Sequence, residues 1–187
     1  ADFDNTLYVA PIPVETVRVL YLGSDDARDP NGLRYYLENA LPDTATRHVE
    51  FVAPALNAPL PAGVLETARV AVVAAPLTGE QAEQVRKFAE AGHEVLVVLK
   101  DVPTAEADAG LAGIEPGAEE AASNGANSFA LLGQVDFQNT LFAPFADARF
   151  ADFTKIHFWR HRQVHVAANG GGHVLAAFDD GDPFLIE

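Results

Sequence analysis

Two rhythms of apolar residues run along the chain. Val17-Arg18-Val19-Leu20-Tyr21-Leu22 is apolar at five of its six positions and ends at Gly23, the pattern of a buried strand closed by a turn. Val70-Ala71-Val72-Val73-Ala74-Ala75 and Glu94-Val95-Leu96-Val97-Val98-Leu99 show the same continuous character. Strands without polar alternation are covered on both faces, so these three are expected side by side and parallel at the centre of one sheet. Residues 48–52 supply a further strand. The second rhythm is helical. Residues 32–41 place Leu33, Tyr36, Leu37 and Ala40 on one face, and Pro42 stops the helix. A short helix is expected around residues 64–68. Thr78, with Gln81 three residues later, forms a capping box that opens a helix running to Ala91. Its inward residues are Ala82, Val85, Phe88 and Ala89, and Gly92 serves as the left-handed C-cap. Strand, helix and strand over residues 70–99 make one βαβ unit with a right-handed crossover.

Elsewhere the pattern is weaker. Leu7-Tyr8-Val9-Ala10-Pro11-Ile12-Pro13 carries two prolines, so residues 1–14 read as a linker or an edge strand from a preceding domain. Residues 15–187 read as a single α/β domain. Within it, residues 101–136 hold seven acids and neither Lys nor Arg, an acidic, partly helical excursion over the strand ends. Residues 150–166 turn aromatic and basic, with Phe153, Phe158, Trp159, Arg160 and Arg162, and read as strand. Residues 173–178 and 183–187 are short strands around Asp179-Asp180-Gly181-Asp182, a hairpin signal.

Composition narrows the classes of function. The chain has 187 residues, about half of them hydrophobic, enough for one domain with its own core. There is no cysteine, which excludes disulfides, thiolate zinc sites and a cysteine nucleophile. Acids outnumber bases 27 to 12, a net charge of −15. Such a surface repels phosphate backbones and anionic lipid, so no nucleic-acid partner is expected. No apolar run approaches the roughly 18 residues of a membrane helix, so no direct membrane insertion is expected of these residues. There is no methionine, and the chain stops inside the apolar run Pro183-Phe184-Leu185-Ile186-Glu187; both features predict a piece of a longer protein with a truncated C-terminus.

Candidate chemistry is sparse. The loop after the first strand carries Asp25 and Asp26, at the carboxyl edge where parallel sheets bind ligands. An acid pair there suggests a phosphoacceptor receiver, but residues 74–76 are Ala-Ala-Pro where an acceptor Asp is needed, so a solvated acidic loop is the better reading. Gly23-Ser24-Asp25-Asp26-Ala27-Arg28 lacks the second and third glycines of a dinucleotide loop. His157, His161 and His165 are spaced by four. On a strand, residues four apart lie about 13 Å apart, too far to share a zinc ion with bonds of about 2 Å, so no tri-histidine metal site is expected; a half-exposed strand whose rings meet water and the acids of the excursion is. Asp179, Asp180 and Asp182 lack the distal ligands of a calcium loop and read as a turn. Gly170-Gly171-Gly172 reads as a flexible connection. Leu99-Lys100-Asp101-Val102-Pro103 occupies the strand-end turn where class I amidotransferase-type folds place a nucleophile, but it holds no Ser, Cys or Thr and no elbow-forming small residues.

Several stretches resemble the amidotransferase-like region of large BatA-type bacterial membrane proteins: Asp4-Asn5-Thr6-Leu7-Tyr8-Val9 followed by residues 17–22; Leu132-Gly133-Gln134-Val135-Asp136-Phe137 with Phe142-Ala143-Pro144-Phe145 and Asp152-Phe153-Thr154-Lys155-Ile156; and Val174-Leu175-Ala176-Ala177-Phe178-Asp179-Asp180-Gly181-Asp182-Pro183. The resemblance covers most of the chain and its motifs are structural. It implies a three-layer, mostly parallel flavodoxin-like or class I glutamine amidotransferase-like sheet with an additional C-terminal β-hairpin. It also implies a parent protein with two N-terminal membrane helices, a von Willebrand A-like region, this domain and often a final membrane helix. The bulk would lie on the periplasmic side, and the family's name reflects an aerotolerance association. Without cysteine, glutaminase activity does not carry over.

The expectation is therefore a non-enzymatic ligand- or protein-interaction domain of a membrane-anchored bacterial envelope protein. Its partners would be neighbouring domains of the same polypeptide or other envelope proteins, with no cofactor, no metal and no catalytic residue. The ligand-binding candidates are Asp25, Asp26, Lys100 and Asp101. The alternatives are a hydrolase using Asp25, Asp26 or Asp101 at the sheet's carboxyl edge, or a structural spacer.

Overall fold

A computed structural model describes residues 12–56, 58–121, 129–166 and 172–187. The stretch 1–11 of the expected linker, part of the acidic excursion and most of Gly170-Gly171-Gly172 lie outside the described residues. The chain falls into two compact units, residues 1–96 and 97–187, each described by itself.

The first unit is built on a four-stranded sheet. In chain order its elements are β1 (Glu15–Leu22), α1 (Leu33–Ala40), β2 (Arg47–Val52), α2 (Ala62–Thr67), β3 (Ala68–Val73), α3 (Gly79–Glu90) and β4 (Glu94–Val97). The strand order is β2-β1-β3-β4. β1 runs parallel to β2, with Val17 opposite Val49, and parallel to β3, with Tyr21 opposite Val72. The continuous apolar runs are where the core lies. Leu20, Tyr21, Leu22, Ala71, Val73 and Ala74 are all completely buried. Each large side chain among them contributes about 1.5–3 kcal/mol by leaving water.

Helix α3 begins as its sequence dictates. Thr78 accepts from the Gln81 backbone N–H, and the Gln81 side chain accepts from the Thr78 N–H, which satisfies two of the donors a helix start leaves open. Gly92, at φ 88°, follows the helix. Val85 and Phe88 are buried as expected.

Three expectations are corrected in this unit. The strand expected over residues 94–99 ends at Val97, and it lies beside β3 at the end of the sheet rather than at its centre. Its residues alternate between exposed and half-buried, because among the described residues it has a strand neighbour on one side alone. Ala89 is exposed, and the helix buries Gln81 instead; the amide is accommodated because its NH2 donates to the Leu56 and Ala58 carbonyls at 3.1 and 2.8 Å. Tyr36, expected on the inner face of α1, is exposed and meets Tyr35 edge to face.

In the second unit the acidic excursion takes regular structure. It contains α4 (Val102–Asp108), β5 (Ile114–Ala121) and β6 (Leu132–Val135). The aromatic and basic stretch yields a shorter strand than expected, β7 (Arg160–Val166), and β8 (Val174–Phe178) and β9 (Pro183–Ile186) follow. β5 and β7 pair antiparallel, with Glu119 opposite Arg162. β6, β8 and β9 form a three-stranded antiparallel sheet in that order. The expected β8–β9 hairpin forms, with Gly181 at φ 97° in its turn, a conformation glycine adopts without steric cost. Aromatic side chains replace aliphatic runs in this core. Ala130 and Phe178 pack with Leu132 and Phe158, and Phe142, Leu175 and Ala176 pack with Val135, Phe137 and Leu185.

Candidate functional site

The loop after β1 stands at the carboxyl edge of the parallel strands, and its first acid has a structural position. Asp25 Oδ2 accepts from the Tyr21 hydroxyl at 3.0 Å and from the Leu33 backbone N–H at 2.9 Å. One carboxylate thus anchors a fully buried tyrosine and caps the first turn of α1, whose own N-cap residue, Gly32, has no side chain to do so. Burial pushes the Tyr21 phenol well above its ordinary value, and the hydrogen bond and charge of Asp25 push the same way. Gly23 lies against the Tyr21 ring, and a Cβ there would come within 2.5 Å of it. Asp26 serves a different contact. Its Oδ1 accepts from the Arg28 N–H at 2.8 Å in an exposed turn, so the two neighbouring acids do not act as a pair on one acceptor site.

Asp101 is the N-cap of α4, with Oδ1 accepting from the Thr104 N–H at 2.8 Å. The Thr104 side chain and backbone N–H hold its carboxyl below the usual carboxylate range, against the opposing effect of burial; Lys100 and Arg162 add favourable charge. Lys100 itself is exposed. A depression on the first unit is lined by Glu38, Leu41, Pro42, Asp43, Val49 and Phe51. Of its two acids, Glu38 pairs with Arg34 at 2.8 Å, and Asp43 is held low by the Val49 N–H and by His48, again local structural roles.

The three histidines are separated by the structure. His157 is exposed and stacks on Phe129, with ring centroids 3.8 Å apart; Trp159 meets both rings edge to face. His165 is exposed on β7. His161 is buried, which corrects the expected half-exposed strand position, and the acids its ring meets are those of the β8–β9 turn. Its Nε2 lies 2.8 Å from Asp182 Oδ2 and 3.2 Å from Asp180 Oδ2. Its ring also packs against Phe178, with centroids 4.5 Å apart. The turn is held by an Asp182 N–H donated to Asp180 Oδ1 and a Gly181 N–H donated to the Phe178 carbonyl. These three residues bring one potential ligand atom each to within 4.8 Å of one another. Nothing local in the sequence signals this meeting, because His161 on β7 and Asp182 in the β8–β9 turn are 21 positions apart. The sequence likewise carries no local sign of the Tyr21–Asp25 bond, of the Phe129 stack, or of the burial of Gln81 beyond its capping role. Tyr21 is legible there only as core.

No protein family, curated protein or solved structure matches the chain.

Proposed function

We propose that the chain is a non-enzymatic protein-interaction domain of a membrane-anchored bacterial envelope protein. Its partner is a neighbouring domain of the same polypeptide or another envelope protein on the periplasmic side. The observation that carries the interaction reading is the aromatic cluster of Phe129, His157 and Trp159. Trp159 is 58% exposed and Phe129 37%, and a rigid aromatic cluster left in water is the composition of a protein-binding hot spot rather than of ordinary surface. Leu141, Phe145, Phe150 and Ile156 of the same unit are also exposed. The acids at the strand ends favour the same reading, since Asp25, Asp26 and Asp101 each serve a cap or a turn. In fold we propose a flavodoxin-like or class I amidotransferase-like domain. The order β2-β1-β3-β4 supports this, being the first four strands of the flavodoxin-like order. The envelope setting rests on the resemblance of the sequence to BatA-type proteins.

An aromatic photo-crosslinker in place of Trp159, in the bacterial envelope, is expected to give a discrete protein adduct that Phe129→Ala weakens. The absence of any adduct would overturn the interaction reading and leave a spacer. Glutamine and ester hydrolysis by the purified chain is expected at the buffer background. Turnover removed by Asp25→Asn, Lys100→Ala or Asp101→Asn would replace this reading with a carboxylate-dependent hydrolase.

A further inference from the structure

The meeting of His161 with the β8–β9 turn is more negative than its hydrogen bonding can satisfy. Two carboxylate oxygens approach the same ring nitrogen, at 2.8 and 3.2 Å. A single N–H points well at one acceptor and poorly at a second. Among the described residues, no other cationic side chain lies within 4.0 Å of Asp180 or Asp182. The other ring nitrogen, Nδ1, is buried and has no hydrogen-bond partner among the described residues. The side chain of His161 is 3% exposed, whereas those of Asp180 and Asp182 are 37% and 26% exposed. The nitrogen is thus fixed in the protein while the oxygens stand at the surface, open to an ion arriving from solvent.

We propose that His161 Nε2 and one carboxylate oxygen each from Asp180 and Asp182 bind a divalent first-row transition-metal ion of the zinc or manganese kind. Donor atoms on adjacent corners of an octahedron with bonds of about 2.1 Å lie about 3 Å apart, close to the nitrogen–oxygen separations seen here. The donor set of one imidazole and two carboxylates selects transition ions over magnesium and calcium, which prefer oxygen alone. Two negative charges then face two positive ones, and the remaining coordination positions point outward to water. The scaffold is already in place. His161 is held in β7 against Phe178, and the acids are set by a tight turn whose Gly181 takes a left-handed conformation. The site is distinct from the exposed His157 and His165 and does not depend on the interaction reading above.

Titration of the metal-free full chain with Zn2+, and separately with Mn2+, followed by calorimetry and by thermal unfolding, tests this. The expected result is one ion per chain and a rise in the unfolding temperature, since an ion that binds the folded state alone stabilises it. Asp180→Asn and Asp182→Asn preserve side-chain size and should each weaken binding at least about tenfold and remove most of the thermal shift. His161→Ala should do the same, and the two Asn variants keep the test decisive if that buried substitution unfolds the chain. Weak binding without a one-to-one stoichiometry, an adventitious surface ion only, would overturn the proposal. So would full affinity in both Asn variants, loss of the ion in His157→Ala/His165→Ala with Asp182→Asn unaffected, or Mg2+ and Ca2+ binding as tightly as Zn2+ and Mn2+.

Discussion

The two units bury their residues in different ways, and the chemistry follows the difference. In residues 1–96 the core is made of strand interiors: Leu20, Leu22, Ala71 and Val73 on neighbouring parallel strands reach complete burial. The polar groups that enter this core, the Tyr21 hydroxyl and the Gln81 amide, are tied to Asp25 and to the Leu56 and Ala58 carbonyls. In residues 97–187 the strands pair antiparallel, and much of the packing is aromatic, with the Phe178 ring meeting Phe158, Phe184 and His161. That unit leaves Trp159 and Phe150 largely exposed and places a buried histidine beside two acids. A sheet whose strands are covered on both faces has little room for unpaired polar groups. Small antiparallel sheets joined by loops expose more of their side chains, and loops are where binding groups gather.

The largest expected effect separates the middle of the parallel sheet from its end. Val72→Asp puts a charge at a position 3% exposed and should cost about 4 kcal/mol or more, whereas Val97→Asp, at the half-buried end of β4, should cost about 1 kcal/mol. Chemical denaturation of the two variants side by side checks the ranking, and equal losses would break it. Next, Phe178→Ala removes the ring around which the second unit's aromatics pack and should cost about 3 kcal/mol. If the two units unfold independently, that loss will appear in one transition while the signal of the first unit stays in place.

A smaller effect is expected from Gln81→Ala, which strips donors from two backbone carbonyls and one half of the capping box; about 2 kcal/mol is expected. Gln81→Glu, which keeps the acceptor but turns a buried carboxylate toward the same two carbonyls, should cost at least as much. The smallest is Asp101→Ala, an N-cap removal of about 1 kcal/mol. It also carries a pH signature. The Asp101 carboxyl titrates below its ordinary value in the folded chain, so the folded state binds its proton more weakly than the unfolded state does. Its contribution is therefore complete above the ordinary carboxylate range and is lost as pH falls through the folded value. The difference in stability between the native chain and Asp101→Ala should shrink on acidification, and a difference that grew would show that Asp101 is not the cap.

The sequence by itself determined the elements whose cause is local. Continuous apolar runs marked β1 and β3 as interior strands, Thr78 and Gln81 set the start of α3 through contacts three residues apart, and the Asp-Gly turn specified the β8–β9 hairpin. What it misjudged depended on neighbours. Val95-Leu96-Val97 has the composition of a central strand, but whether a strand is central is decided by how many strands flank it, which no single segment encodes. Gln81 is polar by composition and buried because the carbonyls of Leu56 and Ala58 happen to receive it. Asp25 was visible as an acid at a sheet edge, but its work for Tyr21 and Leu33 required the chain to fold back on itself. The same holds most strongly for His161. In the sequence it is one of three evenly spaced histidines, and only the tertiary structure distinguishes it, by burying one ring beside Asp180 and Asp182 and leaving the other two in water. Local order follows from backbone geometry and short-range hydrogen bonds, whereas the meeting of distant charges depends on strand placement, and that is settled by the packing of the whole chain.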